Sequence, residues 1–162
     1  MVKDYPFIEL DPKRLQRNGI PFEEVARIEG AMEHGLKVGF QDMKPFDLAV
    51  VGCVAVTRNG GRSGKGGGFA DLELGIFREM GLVNADTPIV TTVHSLQVQE
   101  DERVIMVAHD TPLDWIITPD EVIETHTMLA QPEGVNWDAI QSDQYDNIPF
   151  LLSLKSTLLD QE

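Results

Sequence analysis

Basic residues are scarce in this chain. Thirteen lysines and arginines stand against 27 aspartates and glutamates in 162 residues, a formal net charge of −14. Binding to nucleic acid in general needs an excess of cationic side chains to replace the counterions on phosphates, so that class of function is not expected. Cysteine is scarcer still. The single Cys53 cannot form an internal disulfide, and its place in an apolar run marks it as a small core residue rather than a nucleophile. A reducing, cytoplasmic setting is the expectation. No apolar run approaches the ~20 residues that a membrane-spanning helix needs, and the first residues carry charge where a leader peptide would be apolar. With 42% hydrophobic and 25% charged residues the composition is that of an ordinary globular protein, and the length predicts one domain over residues 1–162.

What the chain does have is a concentration of glycine and positive charge in one place. Six of its 14 glycines lie between Gly60 and Gly68, and three basic residues, Arg58, Arg62 and Lys65, lie in the overlapping stretch from 58 to 65. The apolar run Leu48–Val56 before it predicts a buried strand, and the apolar spacing over Asp71–Met80 after it predicts a helix. A strand, a glycine-rich basic loop and a helix N-terminus together form a place to hold phosphate. Glycine lets backbone N–H groups approach an anion closely, and the helix end adds partial positive charge. The loop is neither a Walker sequence, since Asn59 and Gly66 fall where Gly and Ser/Thr are required, nor a dinucleotide fingerprint, which needs glycine at Phe69. A long flexible hairpin loop is the plainer alternative.

Along the rest of the chain, Phe7–Leu10 predicts a short strand. Phe22, Val25, Ile28 and Met32 predict one amphipathic helix from Pro21 to about His34, with His34 facing solvent or capping it. Gly81 is placed to cap the helix after the loop. Further strands are expected at Pro88–His94, Val104–Val107 and Trp115–Thr118, a helical turn at Pro119–Ile123, and a terminal helix at Pro149–Leu159. Strands alternating with helices imply an α/β fold with a largely parallel sheet covered by helices. Ligands gather beyond the carboxyl ends of such strands, so the loops after Val56, His94 and Val107 are candidates to share one site. Asp71 is either a charge favourable to the helix dipole or a carboxylate for a hard cation such as Mg²⁺ bridging to phosphate. His109-Asp110 divides in the same way between an ordinary loop pair and a site pair. His94 and His126 have no metal-ligand spacing with other histidines or with cysteine.

Three blocks in this order, Asp47–Gly52, Arg62–Asp71, and His109-Asp110 followed by Asp114–Thr118, resemble the 5-formyltetrahydrofolate cyclo-ligase family over about residues 46–125. Ser63–Gly66, Ala70–Glu73, Gly134–Trp137 and Ile148-Pro149 are similar to its methenyltetrahydrofolate synthetase domain-containing branch. The resemblance implies a three-layer α/β fold like that of ribose-5-phosphate isomerase and CoA transferases. It also implies an ATP- and Mg²⁺-dependent reaction with a small-molecule folate. The formyl oxygen of 5-formyltetrahydrofolate is phosphorylated, N10 attacks, and phosphate leaves to give 5,10-methenyltetrahydrofolate. By position, Arg62, Gly64, Lys65, Gly66, Gly67 and Gly68 would cradle the ATP phosphates, and Asp71 and Asp110 would hold Mg²⁺.

The sequence departs from the family pattern at several points. Phe69 and Ala70 replace paired tyrosines, Leu72 replaces an arginine, and Val107 stands where a glutamate is usual. The chain is expected to lack the family's first strands and helices, and the spacing of Lys13 and Arg17 matches an ATP-contacting pair by accident. A non-catalytic nucleotide- or folate-binding module, or an oligomeric interaction module of the same fold, is the alternative. A missing sheet edge would favour a homo-oligomer.

Overall fold

A computed structural model describes residues 7–159. In chain order its elements are β1 (Phe7–Glu9), α1 (Pro12–Arg17), α2 (Phe22–Val25), α3 (Ile28–His34), β2 (Leu36–Val38), β3 (Ala49–Val50), β4 (Ala55–Thr57) and β5 (Arg62–Ser63). Then come α4 (Phe69–Glu79), β6 (Ile89–Thr92), β7 (Val98–Gln99), β8 (Trp115–Ile117), β9 (Val122–Glu124), α5 (Ser142–Asn147) and α6 (Phe150–Leu159). Among the described residues the backbone gathers into two compact units, one from residues 7–43 and 140–159 and the other from Lys44 to Ala139.

In the first unit β1 and β2 pair antiparallel, Ile8 opposite Lys37. Asp11 caps α1 by accepting a hydrogen bond from Lys13 N at 2.8 Å, and Pro12 begins the helix where its missing N–H costs nothing. The single helix expected over Pro21–His34 is two helices with a break at Ala26-Arg27. The break brings α3 against the end of α2, so close that a Cβ on Gly30 would sit 2.1 Å from the Glu24 carbonyl oxygen. Of the expected apolar face only Val25 is buried, and Ile28 is 74% exposed. Phe40 forms the centre of the aromatic packing, edge-on to Phe7 and stacked on Phe150 of α6 at 5.0 Å.

The second unit holds two sheets. One has the order β3-β6-β8-β9, with β3, β6 and β8 parallel and β9 antiparallel to β8. The other is β5-β4-β7, with β4 antiparallel to β5 and parallel to β7. The architecture is therefore mixed α/β, but the single largely parallel sheet expected is not formed: among the described residues three strand pairings are parallel and three antiparallel, spread over separate small sheets. The expected strand Leu48–Val56 is divided between both sheets: β3 ends at Val50 and β4 begins at Ala55, with Gly52 between them. It is also less buried than its composition suggests, since β3 lies at a sheet edge and Val50 is 62% exposed. Val104–Val107 forms no strand. The expected helical turn after Pro119 is instead a tight turn, in which Thr118 Oγ1 takes hydrogen bonds from Asp120 N and Glu121 N, and the chain leaves it as β9.

Helix α4 covers this unit through Leu72, Leu74, Ile76 and Phe77, all buried. It ends as the sequence predicts. Gly81 has φ +66°, its N–H bonds Arg78 O at 3.0 Å, and Leu82 N bonds Phe77 O at 2.8 Å. Together these satisfy the last free carbonyls of the helix. Gly134-Val135 lies across α4, with Val135 N donating to Glu79 Oε1 at 3.0 Å and Gly75 facing the Gly134 carbonyl. Asp114 ties the starts of β6 and β8 together, accepting from Ile89 N at 2.8 Å while its own N–H donates to Ile89 O at 2.8 Å.

Candidate functional site

The glycine-rich segment consists of two parts with different duties. The first is a tight hairpin between β4 and β5. Thr57 Oγ1 donates to Asn59 Oδ1 at 2.6 Å, the same oxygen accepts from Gly61 N at 3.2 Å, and Leu113 N donates to Gly60 O at 2.8 Å. Gly60 has φ +96°, and a Cβ there would meet the Leu113 carbonyl oxygen at 2.6 Å. Gly60→Ala is therefore expected to destabilise the fold by about 2–4 kcal/mol, from backbone strain plus a collision with backbone, measured by denaturant unfolding.

The second part, Gly64–Gly68, is exposed and leads into the N-terminus of α4. Nothing lies within 4 Å of where a Cβ would be at Gly64 or Gly66, and Gly66 has φ +88°. Gly68 caps the helix in the left-handed region at φ +63°, and Leu72 N returns to its carbonyl at 3.0 Å. The first-turn N–H groups of α4 have no acceptor within the helix, so they and the loop backbone form an open, electropositive shelf with the exposed Lys65 on it. The Phe69 ring sits beside Gly67, where a Cβ would be 3.0 Å from Cδ2.

Beneath the shelf is a brace that the sequence did not reveal. Arg62 is buried, its side chain 2% exposed, and pairs with Asp71 Oδ1. Its Nε donates to the Thr111 carbonyl at 2.8 Å, and Thr111 N donates to the same Asp71 Oδ1 at 2.8 Å. Three chain segments thus close on one another around two charges: β5, the first turn of α4, and the loop leading to β8. Arg62, expected on the phosphate-facing side, points inward. Asp71, expected to ligate a metal, commits Oδ1 to the brace and keeps Oδ2 outside these bonds. The Thr111 contact brings Asp71 to the residue next to Asp110. Asp110 itself closes a turn, its Oδ2 accepting from Val107 N at 2.9 Å and its N–H donating to Val107 O at 3.0 Å. His109 beside it is exposed.

Of the three loops expected to share a site, those after β4 and after Val107 meet at this brace. The loop after β6 reaches the stretch before β4 instead, where Gln97 Nε2 donates to the carbonyls of Cys53 and Val54 at 3.1 and 3.0 Å. His94 caps that loop, Nδ1 accepting from Leu96 N at 3.2 Å. A separate open cleft of about 300 Å³ lies at the amino ends of β6 and β8, lined by Asp86, Asp114, Trp115, Glu124 and His126. Its carboxylates suit it poorly to a phosphate.

The model of the 5-formyltetrahydrofolate cyclo-ligase family matches residues 27–119, which include the loop, the brace and Asp110. The chain belongs to this family.

The match begins about twenty residues earlier than the sequence blocks suggest and leaves out Lys13 and Arg17 of α1. Among its relatives is a methenyltetrahydrofolate synthase domain-containing protein of Homo sapiens, 38% identical over 131 residues, or 81% of this chain and 34% of that protein. Another with the same description, from Danio rerio, is 38% identical over 134 residues, 83% of this chain and 35% of that protein. This cyclo-ligase family member thus spans about a third of the length of the curated relatives it matches.

One titratable group near the loop had no signal in the sequence. Glu73, in the second turn of α4, has its carboxyl pushed above its ordinary 4.5 by burial. The folded state therefore binds this proton more tightly than the unfolded state. Its charge costs stability as pH rises from about 4.5 through the raised value, and that cost is absent at lower pH. Glu73→Gln is expected to be more stable than wild type at pH 8 and to converge with it below about pH 4, in thermal melts run across that range.

Proposed function

We propose that this chain carries out the cyclo-ligase reaction, using ATP and Mg²⁺ to convert 5-formyltetrahydrofolate to 5,10-methenyltetrahydrofolate with release of ADP and phosphate. The observation that carries the reading is the exposed Gly64–Gly68 shelf at the N-terminus of α4, backed by Arg62 and Asp71 and joined to Asp110 through Thr111. The backbone of Gly64, Gly66, Gly67 and Gly68 receives phosphate oxygens, and the Lys65 ammonium neutralises their charge. Arg62 acts from beneath, by fixing Asp71 and the entry to α4.

The donor set fits a hard cation. Asp71 Oδ2 and Asp110 Oδ1 lie outside the hydrogen bonds that fix their carboxylates, and Mg²⁺ is typically held by one or two carboxylates together with substrate phosphates. Asp71 and Asp110 would hold the ion, which when bound offsets the negative charge that builds on the phosphates as the terminal phosphoryl group moves to the formyl oxygen. The setting proposed is cytoplasmic.

The test is turnover by purified protein given 5-formyltetrahydrofolate, ATP and Mg²⁺, following methenyl product and ADP together. Equal amounts of both support the reading, and a folded protein that forms neither contradicts it. A second reading rests on Phe69 and Ala70, which bring no hydroxyl to the mouth of the loop. In that reading the chain binds nucleotide or folate without turnover, and binding in the absence of product would select it.

A further inference from the structure

The break between α2 and α3 gathers three metal-ligating side chains in the first unit. One carboxylate oxygen each from Glu24 and Glu33 and a ring nitrogen of His34 all lie within 4.8 Å of one another. We propose that Glu24, Glu33 and His34 form a binding site for a divalent transition metal of the Zn²⁺ type, made of residues that the phosphate shelf does not use.

The scaffold holds these groups in place. Gly30 is the point of close approach, since any larger residue would drive its Cβ into the Glu24 carbonyl. The end of α3 is tied down by the Arg14 guanidinium, which donates to the His34 carbonyl oxygen. His34 is half-buried and its Nε2 lies 2.7 Å from Glu24 Oε1, so the imidazole is aimed at the carboxylates rather than at open solvent.

The dimensions suit a small tetrahedral ion. Ligands at about 2.0–2.1 Å from Zn²⁺ stand roughly 3.3 Å apart. That spacing lies between the 2.7 Å His34–Glu24 separation and the 4.8 Å limit of the cluster, so side-chain rotations of modest size complete it. An imidazole among the ligands favours Zn²⁺, Ni²⁺ or Co²⁺ over Mg²⁺ and Ca²⁺, which prefer oxygen alone. Two carboxylates this close repel, and in a chain of net charge −14 a dication relieves that repulsion better than a single imidazolium. Three protein ligands leave a fourth position open to water.

The test is calorimetric titration of the whole chain, stripped of metal by chelator, with Zn²⁺, repeated with Co²⁺ while visible absorption is recorded. One saturable equivalent is expected, with Co²⁺ bands of a tetrahedral site and no displacement by excess Mg²⁺. Because disturbing groups behind metal ligands already costs on the order of 10–100-fold in affinity, His34→Ala and Glu33→Gln should each lose at least tenfold. Glu33 is exposed, so Glu33→Gln tests the site even if His34→Ala disturbs the fold. The proposal is overturned by the absence of a saturable equivalent, by unchanged Zn²⁺ affinity in Glu33→Gln, or by displacement with Mg²⁺. Any of these would leave His34 and Glu24 as a simple hydrogen-bonded pair.

Discussion

Arg62→Met is expected to destabilise the protein by about 3–5 kcal/mol, the cost of leaving a largely buried carboxylate without its cation. The side chains of Arg62 and Asp71 are 2% and 15% exposed, so water cannot take over the lost role. Methionine keeps most of the volume but leaves both Asp71 and the Thr111 carbonyl short of a donor. In a chain of this size the loss corresponds to roughly 10 °C in the melting temperature. The exposed pair Arg58–Glu121 supplies the contrast, with side chains 59% and 47% exposed. Arg58→Met should cost less than about 1 kcal/mol, because solvent screens such pairs and they hold long side chains in place at an entropic cost. Equal losses in the two variants would show that the brace does not hold β5 and the start of α4 to the Thr111 segment. Adding Asp71→Leu to Arg62→Met should recover part of the stability, since no unpaired charge then remains.

Gly64→Val is expected to leave the fold intact and remove nucleotide binding. A Cβ at Gly64 meets nothing within 4 Å, and the residue is not in the left-handed region, so stability should change by less than about 0.5 kcal/mol. A bound phosphate would have to lie against this backbone, and a branched side chain there keeps it at a distance. The expected loss of ATP–Mg²⁺ affinity is on the order of a hundredfold, about 2.7 kcal/mol, read by calorimetry beside a melting curve. This variant separates binding from folding in a way that Asp71→Ala does not, because Asp71 belongs to the brace as well as to the proposed metal site. Retained affinity in a folded Gly64→Val protein would place the phosphates elsewhere.

Local chemistry in the sequence pointed correctly to the features that depend on it. Gly81 ends α4 because a left-handed residue is needed there, the β-branched residues of Pro88–Thr92 pair as a strand, and Pro149 precedes a helix that begins at Phe150. The elements that differ from local expectation depend on distant partners. The spacing of Phe22, Val25, Ile28 and Met32 is helical, yet Gly30 docks onto Glu24 and splits the helix, a contact no periodicity reveals. Leu48–Val56 is apolar throughout but serves two sheets. Val122–Glu124 becomes a strand by pairing with Trp115–Ile117, although Pro119-Asp120-Glu121 reads locally as a helix start. In the candidate site, the glycine loop and Asp71 stand out by residue type and position, and Asp110 only through the family resemblance. The inward turn of Arg62 could not, because its partner at Thr111 is a backbone carbonyl 49 residues away.

The most direct test of the account is a calorimetric titration of the wild-type chain with ATP, in the presence and absence of Mg²⁺, alongside Lys65→Ala. The account predicts one equivalent of Mg²⁺-dependent binding that weakens at least tenfold when the Lys65 ammonium is removed, with melting temperature unchanged, since Lys65 is exposed. No binding to the folded wild-type protein, or binding indifferent to both Mg²⁺ and Lys65, would contradict a phosphate site on the glycine shelf.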